Sequence, residues 1–182
     1  MTAPLTAPLT APPAFGSSTA APPALRLAVA QPLMRWTGQA NTQDIVQALG
    51  QAAAAGAQLC LFPELALTGF HREIAREAQP ALVAAQLQQV QAACAQHGLA
   101  AALGAPTFDD EGLAYNSHLL VDAAGRLAAT WAKRGLTAPE ATFFARGNTR
   151  PVVALCGRQR GDFACRPDHA DAAAGASGPG GV

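Results

Sequence analysis

Short apolar runs alternate with amphipathic stretches along the middle of the chain. The apolar runs have the length of buried strands and lie at 25–30, 57–62 and 99–104. Segments 43–55 and 80–97 place apolar residues at offsets of three and four, the pattern of a helix with one buried face. A glycine follows each helical segment, at Gly56 and Gly98, where helices commonly end. The order strand, helix, strand, helix, strand predicts an α/β domain.

A second pattern follows the last of these strands. Two further apolar runs, at 117–121 and 127–132, flank the turn-forming segment Ala123-Ala124-Gly125. We therefore expect these two strands to form an antiparallel hairpin, which makes the predicted sheet a mixed one.

The two ends of the chain lack this patterning. Residues 1–24 repeat Thr-Ala-Pro-Leu and continue through Pro, Gly, Ser and Ala, which predicts a disordered arm. Residues 166–182 are dominated by Ala, Gly, Asp and Pro and are expected to form a low-complexity tail. The predicted domain therefore covers 25–165.

The composition of the chain indicates which kinds of binding partner and which cellular compartment to expect. Of the 182 residues, 50% are hydrophobic, which is enough for a core, and twelve basic and twelve acidic side chains balance to a net charge of zero. This balance argues against a nucleic-acid partner. No segment reaches the roughly 18–20 apolar residues of a membrane span, and no positive charge precedes Arg26, so neither a span nor a secretory signal is expected. Four scattered cysteines then indicate reduced thiols in a cytoplasmic protein.

Glu64 is the first residue with candidate chemistry. It follows the second strand-like run and Pro63. Because ligands bind beyond the carboxyl ends of strands in open α/β sheets, a carboxylate at this position suits a general base. A solvated loop glutamate is the ordinary alternative.

Lys133 and Glu140 form a second candidate group. Lys133 directly follows the strand 127–132, where an ammonium would be placed to stabilise a developing oxyanion. Glu140 either forms an ion pair with Lys133 or is a loop residue. A surface lysine at a strand end is again the ordinary alternative.

Cys165 is the candidate nucleophile. A thiolate needs a nearby positive charge or base, which Lys133, Glu64 or the adjacent Arg166 would supply if the fold brings them together. The preceding polar run 158–160 and Asp162 interrupt any strand pattern, so an unactivated thiol is the alternative.

The remaining cysteines and histidines carry weaker signals. Cys156, Cys165 and His169 match no common zinc spacing, and no metal site is predicted. Cys60 and Cys94 fall inside a predicted strand and a predicted helix, as small apolar residues do. We expect the other histidines to lie at the surface or to be hydrogen-bonded in the core: His71, His97 and His118.

Taken in order, these segments resemble the nitrilase superfamily of carbon–nitrogen hydrolases. The matching residues are Leu27-Ala28-Val29-Ala30-Gln31, Leu61-Phe62-Pro63-Glu64, Thr68-Gly69-Phe70, Tyr115-Asn116-Ser117, and Lys133-Arg134-Gly135-Leu136 followed by Glu140, Phe144 and Gly147. Each motif is short, but their order and spacing are jointly specific. The resemblance covers about 25–148 and reaches Cys165 by position.

The resemblance implies a fold, a reaction and a set of roles. The fold is an αββα sandwich, and the reaction is hydrolysis of a non-peptide carbon–nitrogen bond in a small amide, nitrile or carbamoyl substrate. Glu64 is then the general base, Lys133 stabilises the oxyanion, Cys165 is the nucleophile and Glu140 positions Lys133. The reaction passes through a thioester-type intermediate and needs neither a metal nor an organic cofactor. Members of the family commonly associate, so a homo-oligomer is a possible state.

The family pattern ends after about residue 155. Residues 157–164 are polar where the family has an apolar strand before its cysteine, and only the tail 166–182 follows Cys165. We therefore expect the sandwich to be incomplete at the C-terminus, through truncation or a shifted reading frame, and the chain to be poorly stable and weakly active.

Two other interpretations stay open. One is a catalytically inactive remnant that acts as a binding or dimerisation partner. The other is a small Rossmann-like binding domain. In such a domain a glycine-rich loop follows the first strand, whereas this chain has Gln31-Pro32-Leu33-Met34 there, which argues against that interpretation.

Overall fold

The computed structural model describes residues 24–148 and two short strands, Val153–Leu155 and Arg158–Arg160. Residues 1–23 of the predicted arm, the candidate nucleophile Cys165 and the predicted tail 166–182 lie outside the described residues.

Five strands form one mixed sheet in chain order. They are β1 Leu27–Val29, β2 Leu59–Leu61, β3 Ala100–Phe108, β4 Ala114–Val121 and β5 Leu127–Ala132. The first three strands run parallel, and β3, β4 and β5 are joined as antiparallel hairpins. The predicted α/β class, the mixed sheet and the hairpin through Gly125 are confirmed.

Three helices accompany the sheet: α1 Gly38–Ala54, α2 Ile74–Glu77 and α3 Pro80–His97. The bounds of α3 agree with the prediction, because Pro80 opens the first turn and Gly98 ends the helix at a φ of +60°. Helix α1 begins earlier than the predicted Gln43, since the Thr37 hydroxyl accepts a hydrogen bond from the Ala40 N–H and caps a polar first turn. None of the helices in these described residues is long and apolar enough to cross a membrane.

The main core lies between the sheet and helices α1 and α3. Ile45 and Leu49 from α1 and Val90 from α3 are fully buried there against the sheet. Cys60 and Cys94 belong to the same core with 1% and 0% exposure, as predicted for small apolar residues. Full burial of a leucine or isoleucine side chain stabilises the fold by about 1.5–3 kcal/mol. One face of the sheet is thereby covered by helices.

The opposite face of the sheet carries a smaller apolar cluster. Its buried members are Leu59, Ala100, Ala102 and Leu120. Beyond this cluster, toward the carboxyl ends of β2 and β3, the same face carries polar side chains. Three of the predicted site residues, Glu64, Lys133 and Glu140, meet in that polar region.

Three strand predictions need correction. Strand β4 begins at Ala114, three residues before its expected start at 117. Strand β3 continues past the expected end at Gly104 to Phe108. Pro106 does not stop it, because β2 ends opposite Ala102 and the turn after it bonds to β3 only as far as Gly104, which leaves β4 as the neighbouring strand at position 106. The polar run 158–160 forms a strand, β7, paired antiparallel with β6 at Val153–Leu155. The ladder of such a pair joins backbone groups, so it does not require alternating apolar side chains.

Candidate active site

A tight turn positions Glu64 over the third strand. The Gly104 N–H donates to the Pro63 carbonyl and the Leu67 N–H donates to the Gly104 carbonyl, both at 3.1 Å. A side chain at position 104 would overlap this turn, since its Cβ would lie 2.6 Å from the Glu64 Cα. Within the turn, Leu65 is fully buried at a φ of +49°, a left-handed conformation that is strained for leucine. Packing on Gly104 therefore fixes where Glu64 stands.

Strands β4 and β5 bring two donors to the Glu64 carboxylate. The Lys133 N–H donates to the Asn116 carbonyl at 2.7 Å and continues the pairing of the two strands. On the sheet face opposite the helices, Asn116 Nδ2 donates to Glu64 Oε1 at 2.6 Å, and Lys133 Nζ donates to the same oxygen at 2.8 Å. Three segments that are distant in sequence thus converge on one carboxylate oxygen.

Glu140 holds Lys133 from the other side. It opens the 3₁₀ turn Glu140–Thr142, and its Oε1 accepts a hydrogen bond from Lys133 Nζ at 2.6 Å. Its Oε2 accepts from the Thr137 N–H and hydroxyl at 2.8 and 2.9 Å. The Glu140 side chain is 3% exposed, whereas that of Glu64 is 46% exposed. Lys133 therefore bridges a buried carboxylate and one that faces solvent.

The charges of this group stabilise one another. Burial opposes a charged amine, but hydrogen bonds to Glu140 and Glu64 outweigh it and raise the pKa of Lys133 above its ordinary value. Burial likewise raises the pKa of Glu140, yet the hydrogen bonds from Lys133 and Thr137 bring it below its ordinary value. Both shifts favour the ion pair at neutral pH.

We expect Glu140→Gln to lower the free energy of unfolding at pH 7 by about 1–3 kcal/mol. The folded-state pKa of Glu140 is lowered from 4.5, so its contribution is present above that pH and is lost as pH falls through the folded-state pKa. Urea unfolding of wild type and variant from pH 7 downward measures the difference, which should shrink below pH 4.5. A difference that stays constant with pH would contradict the ion pair.

The structure brings together three of the four predicted site residues. Glu64, Lys133 and Glu140 form one connected group, and Glu140 pairs with Lys133 rather than standing free in a loop. Cys165 lies outside the described residues. In the described part of the chain, no three His, Cys, Asp or Glu side chains gather as a metal site would require.

Two neighbours of Glu64 were not singled out from the sequence. Asn116 was noted only as part of Tyr115-Asn116-Ser117, and its place in that motif was the available signal. His118, expected at the surface or in a hydrogen-bonded core, lies part-buried on β4 within electrostatic range of Glu64. Both side chains reach the site through strand pairing, which a linear pattern does not reveal.

Comparison with known proteins identifies the family to which the sequence is similar. The sequence profile of the carbon–nitrogen hydrolase family matches residues 26–171. No curated protein sequence matches the chain significantly.

The fold is similar to solved amidase structures. The NitN amidase from Neterenkonia sp. AN1 shares 29% identity with a TM-score of 0.69, over 75% of this chain and 55% of the amidase. A cysteine-to-alanine variant of the Nesterenkonia sp. AN1 amidase "from the nitrilase superfamily" and such a variant in complex with butyramide each give 29% identity and a TM-score of 0.68, over 74% of this chain and 53% of theirs. The chain thus spans about half the length of these amidases.

The profile match covers most of the chain, and the amidases are similar to it in fold over 75% of its length. The predicted nitrilase-like fold is confirmed, over the part of the amidase fold that this chain covers. The chain belongs to the carbon–nitrogen hydrolase family of the nitrilase superfamily.

Proposed function

We propose that this protein hydrolyses a non-peptide carbon–nitrogen bond of a small amide or nitrile through Glu64, Lys133 and Cys165. The observation that carries the proposal is the Lys133 ammonium held between Glu64 and Glu140 at the carboxyl end of the sheet. This arrangement supplies a base and a fixed positive charge within one site, which are the two groups that a thiol nucleophile needs.

The two oxygens of Glu64 have different surroundings. Oε1 accepts from both Asn116 and Lys133, whereas Oε2 has no hydrogen-bond partner within residues 24–148. With nearly half of the side chain exposed, Oε2 is open to a substrate or a thiol. We assign Oε2 as the atom that takes the proton of Cys165.

The reaction then proceeds in two balanced steps. Glu64 takes the thiol proton as the Cys165 sulfur attacks the amide carbon, and the tetrahedral intermediate collapses to a thioester when Glu64 returns that proton to the leaving ammonia. Water then gives a proton to Glu64 and attacks the thioester. The acid leaves and the Cys165 sulfur regains its proton. A nitrile needs one further water: attack of the sulfur on the nitrile carbon gives a thioimidate, which adds water and loses ammonia to give the same thioester.

Lys133 and Glu140 have separate tasks in this proposal. Lys133 donates to the oxyanion of each tetrahedral intermediate, where one such donor contributes on the order of 10²–10³ in rate. Glu140, buried and held by Thr137, keeps the Lys133 ammonium in place. Because the rotamer of Lys133 is fixed before substrate binds, little reorganisation is needed during reaction.

The related amidases support the substrate class. One Nesterenkonia amidase structure shows acrylamide added at the active site cysteine, and another contains butyramide. We therefore propose a short aliphatic amide as the substrate here. We place the activity in the cytoplasm, without a metal or an organic cofactor and without a nucleic-acid or membrane partner.

Thiol labelling tests the proposed nucleophile. Iodoacetamide should alkylate Cys165 with an apparent pKa well below the roughly 8.5 of a free thiol. Burial raises the pKa of Cys60 to about 11 and that of Cys94 to about 12, so these thiols should stay unlabelled at neutral pH and serve as internal controls. Peptide mapping by mass spectrometry across pH gives the rate at each cysteine.

A variant of Lys133 tests whether the charged site activates this thiol. Lys133→Met should raise the apparent pKa of Cys165, because it removes the cation that stabilises a thiolate. If Cys165 titrates like a free thiol in wild type and variant alike, the proposed triad is wrong.

A binding role is the second candidate function. It is favoured by the edge strand β1, where the apolar side chains of Leu27 and Val29 are 47% and 69% exposed. Exposed apolar side chains on an edge strand suit pairing with another chain. An unactivated Cys165 together with concentration-dependent association would support this role over catalysis.

A further inference from the structure

One cross-strand row of residues lies next to the group formed by Glu64, Lys133 and Glu140. Across β3, β4 and β5, Gly104 pairs with His118 and His118 pairs with Trp131, so all three positions face the same side of the sheet. Asn116 lies two residues before His118 in β4, and Lys133 lies two residues after Trp131, just past the end of β5, so both face the same side. His118 thus occupies the position next to the two donors that bind Glu64.

The missing side chain at Gly104 makes room for Glu64 beside this histidine. The Glu64 backbone fills the space that a Cβ at position 104 would occupy, and His118 stands opposite Gly104 on the neighbouring strand. The imidazole is therefore flanked by the Glu64 turn on one side and by the Trp131 position on the other.

Among the residues that the structure describes, few charged groups face His118. Glu64 comes from the turn after β2, Lys133 from the end of β5, and Glu140 reaches the group through its contact with Lys133. The neighbouring β3 position is a glycine, and helices α1 and α3 lie on the other face of the sheet. Burial lowers the pKa of His118, and the negative charge of Glu64 opposes that shift.

We propose that His118 is a positioning residue that sets the charge balance around Glu64, neutral when the site is active and inhibitory when protonated. With His118 neutral, Lys133 is the only cation that faces Glu64 within the described residues. A proton on His118 adds a second cation, stabilises the carboxylate and makes Glu64 a weaker acceptor for the thiol proton. The catalytic consequence rests on the proposed function, whereas the coupling between the two side chains does not.

The coupling can be measured without turnover, since it is reciprocal. If a proton on His118 favours the Glu64 carboxylate, removal of that carboxylate must disfavour the proton. Titration of the His118 imidazole by ¹H–¹⁵N NMR in the full chain follows this directly, with the resonance assigned by its loss in His118→Gln or His118→Asn.

The expected wild-type pKa of His118 lies below its ordinary 6.5. In Glu64→Gln it should fall further, because the negative charge that opposes the effect of burial is gone. Glu111→Gln removes an exposed carboxylate from the turn between β3 and β4 and is the matched control, with no expected change. An unchanged pKa in Glu64→Gln, or a wild-type pKa at or above 6.5, would overturn the proposal.

The pH dependence of kcat/KM gives the second readout. In His118→Gln the acid side of the curve should move to lower pH, with kcat rather than KM carrying the change. A uniform loss of activity at every pH would indicate a purely structural role and contradict the proposal. If no amide is turned over, the proposed function fails, and the NMR comparison still decides whether His118 and Glu64 are coupled.

Discussion

Replacing Lys133 by methionine is expected to lower the free energy of unfolding by about 3 kcal/mol and to reduce amide turnover on the order of 10³-fold. The loss of stability has a specific source. Glu140 is 3% exposed and would remain as a buried carboxylate without its cation. The loss of turnover follows from the missing oxyanion donor.

A double variant separates these two effects. Lys133→Met combined with Glu140→Gln leaves no buried charge, so it should recover much of the stability lost in Lys133→Met while turnover stays low. Urea unfolding and initial rates are measured on all three variants. Additive losses of stability in the double variant would show that the two side chains do not form the ion pair on which the site depends.

Gly104→Ala should be the most damaging small substitution in the sheet. The new Cβ would lie 2.6 Å from the Glu64 Cα and closer still to the Leu65 N, and both contacts are with backbone that cannot move aside alone. We expect a loss of about 1–3 kcal/mol in the free energy of unfolding, and displacement of Glu64 from Lys133 with loss of activity.

Gly50→Ala is the matched control. This glycine lies within α1, where a Cβ would meet the His97 ring at an ordinary 3.5 Å, and alanine favours the helix by about 0.5–1 kcal/mol. The control should therefore be neutral or slightly more stable. Equal thermal stability of the two variants would contradict the close packing of the Glu64 turn on β3.

The sequence was most informative where local chemistry and burial agree. Helix α3 ends where predicted because Pro80 and Gly98 mark its boundaries, and strand β5 agrees with its apolar run. Glu64, Lys133 and Glu140 were recognised from short motifs at strand ends. Their contacts follow from the order of the strands, which the motifs alone do not state.

Side-chain contacts between neighbouring strands could not be predicted from the order of residues along the chain. His118 and Asn116 face Glu64 because β4 pairs with β3 in one register, and a slip of one residue would turn both side chains to the helical face. The left-handed conformation of Leu65 was also unexpected, since leucine does not favour it and only the packing of the turn on Gly104 requires it. The catalytic roles themselves stay predictions.

The central claim is that Cys165 works with Glu64 and Lys133 to release ammonia from an amide. The most direct measurement is ammonia release from butyramide by the purified full chain, compared with Cys165→Ala and Glu64→Gln. We predict slow but measurable release by the wild type and none above background by either variant. Release that survives Cys165→Ala, or no release by wild-type protein that unfolds cooperatively, would contradict it.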